Sequence, residues 1–162
     1  MIRTGYGYDI HRLKEGRRLV LGGETIPFAK GLEGHSDADV LLHAIIDALL
    51  GAAALGDIGL LFPDTDSVYK DADSRLLLRK TVSMIHDNGF IVGNMDGTIV
   101  AERPKLQSYI PKMRKNIASD LNISIDSVSI KATTSEKIGI IGRQEGICAM
   151  AVCLLLWSDQ ER

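Results

Sequence analysis

One carboxylate and two imidazoles near the N-terminus have the types and spacing of metal ligands. Asp9 and His11 lie two residues apart in a predicted β-strand, where side chains alternate between faces, so both point the same way. His43 lies in a predicted helix and would complete a three-ligand set if that helix faced the strand. Three protein ligands leave zinc a fourth position for water or substrate, as in catalytic sites. The spacing therefore predicts a metal-dependent enzyme.

The helical residues around His43 allow two interpretations. Asp39, His43 and Asp47 recur every fourth residue, so they share one face, opposite an apolar stripe formed by Leu41, Ala44, Ile45, Ala48 and Leu49. Taken alone, this pattern is typical of a solvated helix face. Together with Asp9 and His11 it favours a metal site, in which Asp39 or Asp47 orients the His43 ring through the nitrogen that does not bind the metal.

A second group of polar residues lies near the end of a predicted strand at 127–132. Thr133 and Thr134 could offer hydroxyls and backbone N–H groups to a phosphate. Glu136 could hold a magnesium ion that bridges phosphates, because magnesium prefers carboxylate and phosphate oxygens. Lys105 follows another predicted strand and could contact a nucleotide. The alternative is an ordinary strand end followed by a helix cap.

Length, net charge and composition limit the classes of function that the chain can have. The 162 residues predict one domain. The net charge of −2 gives no basic excess, which argues against a nucleic-acid partner. No apolar run reaches membrane-spanning length and no signal peptide is recognisable, so we expect no membrane association. Cys148 and Cys153 lie in one apolar segment and are predicted to be buried, reduced thiols, which favours a cytoplasmic location.

The hydrophobic pattern predicts an α+β fold in which a mixed β-sheet has helices packed on one face. The last predicted strand is apolar on both faces, so we expect a second subunit to cover the other face. The predicted elements are a strand at 2–13, a hairpin of 19–21 with 25–28, a loop at 31–36, a helix from 37 or 38 to 55 capped by Asp37, a loop at 56–66, a helix at 74–87, a strand at 90–101, a helix from near Pro104 to 121, the strand at 127–132, a glycine-rich loop and a strand at 147–157.

The chain resembles the 2-C-methyl-D-erythritol 2,4-cyclodiphosphate synthase family of non-mevalonate isoprenoid biosynthesis. The resemblance covers essentially the whole length as one domain, residues 1–162. It rests on several motifs in the family's order: Gly7–His11, His35–Val40 with His43, Gly51–Gly59, Phe62–Asp66, Lys131–Lys137 and Gly142–Gly146.

The resemblance implies an activity and an assembly. The family converts 4-diphosphocytidyl-2-C-methyl-D-erythritol 2-phosphate to a cyclic diphosphate and releases CMP, which makes it a phosphorus–oxygen lyase. It implies a homotrimer whose sheets pack around a three-fold axis, with active sites at the subunit interfaces. Zinc would be bound by Asp9, His11 and His43, and a magnesium or manganese ion by Glu136.

The resemblance also implies roles for further residues. His35 and Thr134 would act at the reacting groups, and Asp9, His11 and Glu136 would contact the substrate as well as metal. The phosphate and methylerythritol side would be lined by His35, Ser36, Asp57, Gly59 and Asp64. The cytidine pocket, from the neighbouring subunit, would be formed by Ala101, Lys105, Leu106, Ala132, Thr133 and Thr134.

The resemblance further implies a central cavity of the trimer near Ile140 and Arg143, which holds an isoprenoid diphosphate in some family members. This chain has Ile140 where the family often has an aromatic residue, and Arg143 could simply form an ion pair with Glu145. Two other functions stay open at this stage. One is a zinc-dependent phosphohydrolase that uses the same triad to activate water, and the other is a non-catalytic trimeric binder of nucleotides or isoprenoid diphosphates.

Overall fold

A computed structural model describes residues 2–158 of the chain. Met1 and residues 159–162, which belong to the predicted single domain, lie outside the described residues. The elements in chain order are β1 (Ile2–Glu15), β2 (Leu19–Leu21), β3 (Glu24–Ile26), β4 (Lys30–Leu32), α1 (Val40–Ala53), α2 (Ile58–Leu61), α3 (Ser74–Asp87), β5 (Phe90–Val100), α4 (Ile110–Leu121), β6 (Val128–Thr133), α5 (Gly139–Gly142) and β7 (Gly146–Trp157).

Five strands form one mixed sheet in the order β4-β1-β7-β5-β6, and β2 pairs with β3 as a separate hairpin. The central strand β7 is antiparallel to both β1 and β5. The pair of β5 and β6 is parallel, and helix α4 lies in the connection between them. This architecture confirms the predicted α+β class with a mixed sheet.

Helix α1 packs directly on the backbone of β1. A Cβ atom on Gly5 would lie 1.9 Å from the carbonyl oxygen of Ala48, and one on Gly7 would lie equally close to that of Ala44. Only glycine permits such an approach, because any side chain would overlap the helix backbone. The alternate residues Tyr6 and Tyr8 point to the opposite face of the sheet, where they are exposed.

The environment of α1 differs from that of a helix with one solvated face. Besides its apolar stripe, the helix buries Val40, Leu42, Ile46 and His43. It is covered by β1 and β7 on one side and by α3 on another. The side opposite the stripe is therefore interior at Asp39 and His43 and half-buried at Asp47, so the interpretation of a solvated face is wrong for the histidine.

The start of α1 was also predicted incorrectly. Asp39, rather than Asp37, is the N-cap, with its carboxylate accepting the N–H of Leu42 at 3.1 Å. Ala38 has a φ of 57°, which breaks the helical path just before the cap. Asp39 also accepts the backbone N–H groups of Gly22 and Gly23, so the cap joins the helix to the β2–β3 hairpin.

Three short elements lie in segments that were predicted to be loops. Strand β4 pairs with the end of β1, α2 lies in the segment at 56–66, and α5 lies in the glycine-rich segment. Unlike the strands of the β2–β3 hairpin, which flank a pair of glycines, these elements carry too little local signal to be recognised, and tertiary contacts decide them. Within residues 2–158, no helix has the length and apolar character needed to cross a membrane.

Candidate metal centre and phosphate site

The structure brings Asp9, His11 and His43 together. Asp9 Oδ2 lies 2.9 Å from His11 Nε2 and 3.0 Å from His43 Nδ1. The two ring nitrogens are 3.1 Å apart. Three potential ligand atoms from β1 and α1 thus converge on one point, as the sequence predicted.

The chemistry and spacing of these atoms fit a zinc ion. Zinc bonds of 2.0–2.1 Å in a tetrahedron place neighbouring ligand atoms roughly 3.3 Å apart. The observed separations are a few tenths of an ångström shorter, so small outward shifts of three side chains would accommodate the ion. A donor set of two imidazoles and one carboxylate with an open side matches catalytic zinc sites.

Each ligand on β1 has a second contact that fixes its orientation. His11 Nδ1 lies 2.8 Å from the carbonyl oxygen of Glu33, so this nitrogen carries the proton and Nε2 presents a lone pair to the site. The neighbouring Gly34 is needed here because a Cβ atom would lie 3.2 Å from His11 Cε1 and 2.9 Å from the Cβ of Ala38. Asp9 Oδ1 accepts the N–H of Ile10, which leaves Oδ2 directed at the histidines.

The partners of His43 are not the ones that the sequence predicted. Its Nε2 lies 3.0 Å from Ser74 Oγ and 3.1 Å from Ser36 Oγ. Asp39 caps α1, and Asp47 accepts the N–H of Ile58 at 2.8 Å. The prediction that Asp39 or Asp47 orients the ring is therefore wrong.

The electrostatics of the cluster couple Asp9 to the imidazoles. Burial raises the pKa of Asp9, but hydrogen bonds with His11 and His43 outweigh it and hold that pKa well below its usual range. Burial lowers the pKa of His11, but the hydrogen bond with Asp9 and its charge outweigh this and raise the pKa above its ordinary value. A cation at this site would therefore compete with a proton on the His11 imidazole.

A cavity of about 410 Å³ opens from the cluster. The sequence-predicted residues His35, Ser36, Gly59 and Asp64 line it. Asp57 lies beside Gly59, but its carboxylate caps α2 by accepting the N–H of Leu60. The cavity thus has room for a phosphorylated ligand next to the metal ligands.

A second cavity of about 550 Å³ lies at the ends of β5 and β6. It is lined by all six residues predicted for the cytidine pocket: Ala101, Lys105, Leu106, Ala132, Thr133 and Thr134. In residues 2–158 the two cavities share no lining residue. Within a single chain, the two predicted halves of the site are therefore separate.

Glu136 follows Thr134 in a turn with a positive φ of 52°. Thr134 Oγ1 donates to Glu136 Oε1 and accepts the N–H of Glu136, both at 3.3 Å. The carboxylate is exposed and lies outside the Asp9, His11 and His43 cluster. One exposed carboxylate beside a possible phosphate position suits magnesium, which takes few protein ligands and completes its shell with phosphates and water.

Ile140 and Arg143 lie in and after α5. Ile140 is 47% exposed, and Arg143 Nε donates to Glu145 Oε1 at 2.6 Å, so the predicted ion pair is present. A small cavity of about 220 Å³ is lined by Ile140, Glu145 and residues of β1. Binding of an isoprenoid diphosphate near these residues stays a prediction.

Sequence reasoning missed two features around the metal cluster and its cavity. Ser74, on α3, contacts His43 directly although the residues are 31 positions apart. Phe62 and Tyr69 pack edge to face, with ring centroids 5.4 Å apart, and form an apolar wall of the cavity. Ser74 gave no signal in the sequence, because its contact with His43 joins two helices that are distant along the chain.

Comparison with known proteins shows to which family the chain belongs. The profile of the YgbB family matches residues 2–156. The chain belongs to the YgbB family. Two similar YgbB-family relatives are each named 2-C-methyl-D-erythritol 2,4-cyclodiphosphate synthase. The one from Methylobacillus flagellatus is 60% identical over 155 residues, covering 96% of this chain and 97% of the relative. The one from Laribacter hongkongensis is 60% identical over 160 residues, covering 99% of both.

Solved structures show the same YgbB fold. The complex of IspF from Plasmodium falciparum with CDP superposes with a TM-score of 0.86 at 37% identity, covering 98% of this chain and 97% of that one. The bifunctional IspDF from Campylobacter jejuni gives a TM-score of 0.95 at 43% identity. All of this chain is covered in that match, but it spans only 44% of the bifunctional chain.

Proposed function

We propose that this protein is a 2-C-methyl-D-erythritol 2,4-cyclodiphosphate synthase and that the whole chain forms one catalytic domain. It would convert 4-diphosphocytidyl-2-C-methyl-D-erythritol 2-phosphate to the cyclic diphosphate with release of CMP. The observation that carries the proposal is the convergence of Asp9, His11 and His43 in a chain about as long as, and 60% identical to, relatives of that name.

The reaction explains why the site holds cations and shaped cavities but requires no side-chain nucleophile. An oxygen of the substrate's 2-phosphate forms a bond to the β-phosphorus of the same molecule. The bond from that phosphorus to the oxygen bridging to the cytidine phosphate breaks, and CMP leaves with the electron pair. Because both reacting groups are anionic, catalysis depends on folding the substrate and offsetting its charge.

In this proposal Asp9, His11 and His43 hold zinc, which when bound supplies a Lewis acid for a phosphoryl oxygen. His11 and His43 present their lone pairs to one point because their other ring nitrogens contact Glu33 and Ser74. His35 and Ser36 line the same cavity and would hold the 2-phosphate and the methylerythritol chain. The wall formed by Phe62 and Tyr69 would limit the access of water to the reacting phosphates.

The second cavity would bind the cytidine diphosphate portion. Ala132 and Thr133 are the last residues of β6, Thr134 follows them, and all three line the cavity, to which Lys105 adds a positive charge. Glu136 would hold a magnesium or manganese ion that bridges the phosphates, and Thr134 would help to position the β-phosphate. The CDP complex of the Plasmodium falciparum protein, which shares this fold, supports a cytidine nucleotide as ligand.

The separation of the two cavities supports assembly of the active site between subunits. We propose a homotrimer in which the triad of one subunit faces the cytidine pocket of its neighbour. The face of the sheet opposite α1 exposes Ile2, Tyr6, Tyr8 and Val152. Such an apolar surface on a small protein is typical of an interface, and a second subunit would cover it.

The competing function is that of a zinc phosphohydrolase, which would add a water oxygen to a phosphate, whereas cyclisation consumes no water. We would incubate the enzyme and substrate in water enriched in ¹⁸O and follow the products by ³¹P NMR and mass spectrometry. Cyclisation yields CMP and a cyclic diphosphate, both without ¹⁸O. Linear phosphate products carrying ¹⁸O would contradict the proposal and support hydrolysis, whereas tight binding without turnover would support the non-catalytic binder.

A further inference from the structure

We propose that Asp37 and Ser74 form a hydrogen-bond chain to His43 that fixes this histidine as a metal ligand. This inference rests on the metal-binding role in the proposed function and assigns two positioning residues that act through His43. The contacts around the His43 imidazole support it, together with the Asp37 carboxylate at the far end of the hydrogen-bond chain.

The hydrogen-bond chain consists of three side chains from three parts of the fold. Asp37 lies in the segment before α1, Ser74 is the first residue of α3, and His43 lies in α1. Ser74 Oγ donates to Asp37 Oδ1, and Ser74 Oγ lies 3.0 Å from His43 Nε2. Ser74 is fully buried and His43 is 9% exposed, so water does not compete strongly for these bonds.

Asp37 determines which atom donates in each bond of the hydrogen-bond chain. An ionised carboxylate can only accept hydrogen bonds, so the hydroxyl proton of Ser74 must point to Asp37. The serine oxygen then has lone pairs left, and His43 Nε2 must supply the proton between them. A neutral imidazole with its proton on Nε2 carries its lone pair on Nδ1, the atom that faces Asp9 Oδ2 and His11 Nε2. The chain therefore selects the tautomer that can bind a cation.

Backbone contacts hold Asp37 and Ser74 in this arrangement. Asp37 Oδ2 accepts the N–H of Ser74 at 3.1 Å, so both carboxylate oxygens contact the same serine. Asp37 Oδ1 also accepts the N–H of Asp39, and the N–H of Asp37 donates to the carbonyl oxygen of Ala72. The start of α3 is thereby fixed to the segment that leads into α1, and Ser74 cannot turn away without breaking several bonds.

Ser36 Oγ also lies near His43 Nε2, at 3.1 Å, but among residues 2–158 no carboxylate accepts its hydroxyl proton. Its oxygen accepts the N–H of Ala38, and this contact leaves the direction of its own proton open. Ser36 therefore does not dictate which ring nitrogen of His43 is protonated, whereas the Asp37–Ser74 pair does. This difference separates the two serines experimentally.

The test measures metal affinity rather than turnover. The wild-type protein and the variants S74A, D37N, S36A and T81V would be stripped of metal, and Zn²⁺ and Co²⁺ affinities would be measured by competition with a chromophoric chelator. Thr81 is the matched control, since it is a fully buried hydroxyl on the same helix that donates to the carbonyl oxygen of Leu77. Circular dichroism would establish that each variant is folded.

We expect S74A and D37N to lose roughly 10- to 100-fold in metal affinity, the range found when partners of metal-binding histidines are removed. In D37N the amide can donate to Ser74, which lets the serine proton turn to His43 Nε2 and favours the wrong tautomer. If S74A does not fold, D37N, which keeps the shape of the side chain, still gives the result. T81V should bind within about twofold of wild type, and S36A should lose less than S74A.

Three results would overturn the inference. One is wild-type affinity in folded S74A and D37N, and another is an equal loss in T81V, which would indicate general damage to α3. A third is a wild-type protein that binds neither ion, which would also defeat the metal role in the proposed function. The first two results would overturn the hydrogen-bond chain alone.

Discussion

Gly7 on β1 contacts the backbone of Ala44 on α1 so closely that a Cβ atom would lie 1.9 Å from the Ala44 carbonyl oxygen. Ala44 is the residue after His43, and Gly7 lies two residues before Asp9. The contact therefore sets the distance between the strand and helix that carry the metal ligands. Packing and chemistry depend on the same pair of backbone segments.

The G7A substitution should separate β1 from α1. The methyl group cannot be accommodated by a rotamer change, because the atoms it meets are backbone. We expect a loss of about 3 kcal/mol or more in the free energy of unfolding, or failure to fold. The matched control is G51A, at an exposed position near the C-terminal end of α1 with nothing within 4 Å, which should stabilise by about 0.5–1 kcal/mol. Urea denaturation measures both, and equal stability of G7A and wild type would contradict this packing.

The pH dependence of stability should reverse when metal binds. In the metal-free protein the raised pKa of His11 gives stability that is fully present below about pH 6.5 and is lost as the pH rises through the folded-state pKa. The lowered pKa of Asp9 gives stability present above about pH 4 and lost as the pH falls further. The pair therefore contributes most between these values.

Metal binding requires neutral imidazoles, so its contribution grows as the pH rises. We expect the difference in melting temperature between zinc-loaded and metal-free protein to increase from about pH 6 to about pH 8. Differential scanning calorimetry in both states would measure it. A difference that stays constant over this interval would contradict proton competition at His11.

The E136Q substitution should weaken the dependence of activity on magnesium. The amide keeps the shape of the side chain but removes the charge that we propose holds the ion. We expect the half-saturating magnesium concentration to rise by roughly tenfold or more, with zinc content unchanged because Glu136 lies outside the triad. The control is D126N, another exposed carboxylate, located before β6. An unchanged magnesium titration in E136Q would count against this role.

A charge on the uncovered sheet face should prevent assembly. Val152 on β7 is 47% exposed on that face, and V152E would place a carboxylate in the proposed interface. We expect wild type to sediment as a trimer and V152E as a monomer, because an unpaired charge is costly to bury. V68E is the control, at a 73% exposed valine outside the sheet. A monomeric wild type, or a trimeric V152E, would contradict the proposed interface.

Patterns that repeat along the chain predicted most of the fold. The limits of α3 and the long strands β1, β5 and β7 agree with the predicted ones to within two residues. The convergence of Asp9, His11 and His43 followed from strand alternation and one helical position. These features depend on local periodicity, which the sequence displays directly.

The missed features depend on tertiary contacts. Asp39 rather than Asp37 caps α1 because Gly22 and Gly23 also donate to it, and no local pattern shows that hairpin above the helix. The His43 side of α1 looks solvated in sequence because α3, which covers it, starts only at Ser74. For the same reason Ser74 could not be recognised as a partner of His43.

The proposed function depends above all on the binding of one metal ion by Asp9, His11 and His43. The most direct measurement is anomalous X-ray diffraction from crystals of the purified protein, with data collected on both sides of the zinc absorption edge, for wild type and H43A. We predict one anomalous peak per chain in wild type, within bonding distance of Asp9 Oδ2, His11 Nε2 and His43 Nδ1, and no peak there in H43A. A wild-type crystal grown with zinc that shows no peak between these three atoms would contradict metal binding by Asp9, His11 and His43.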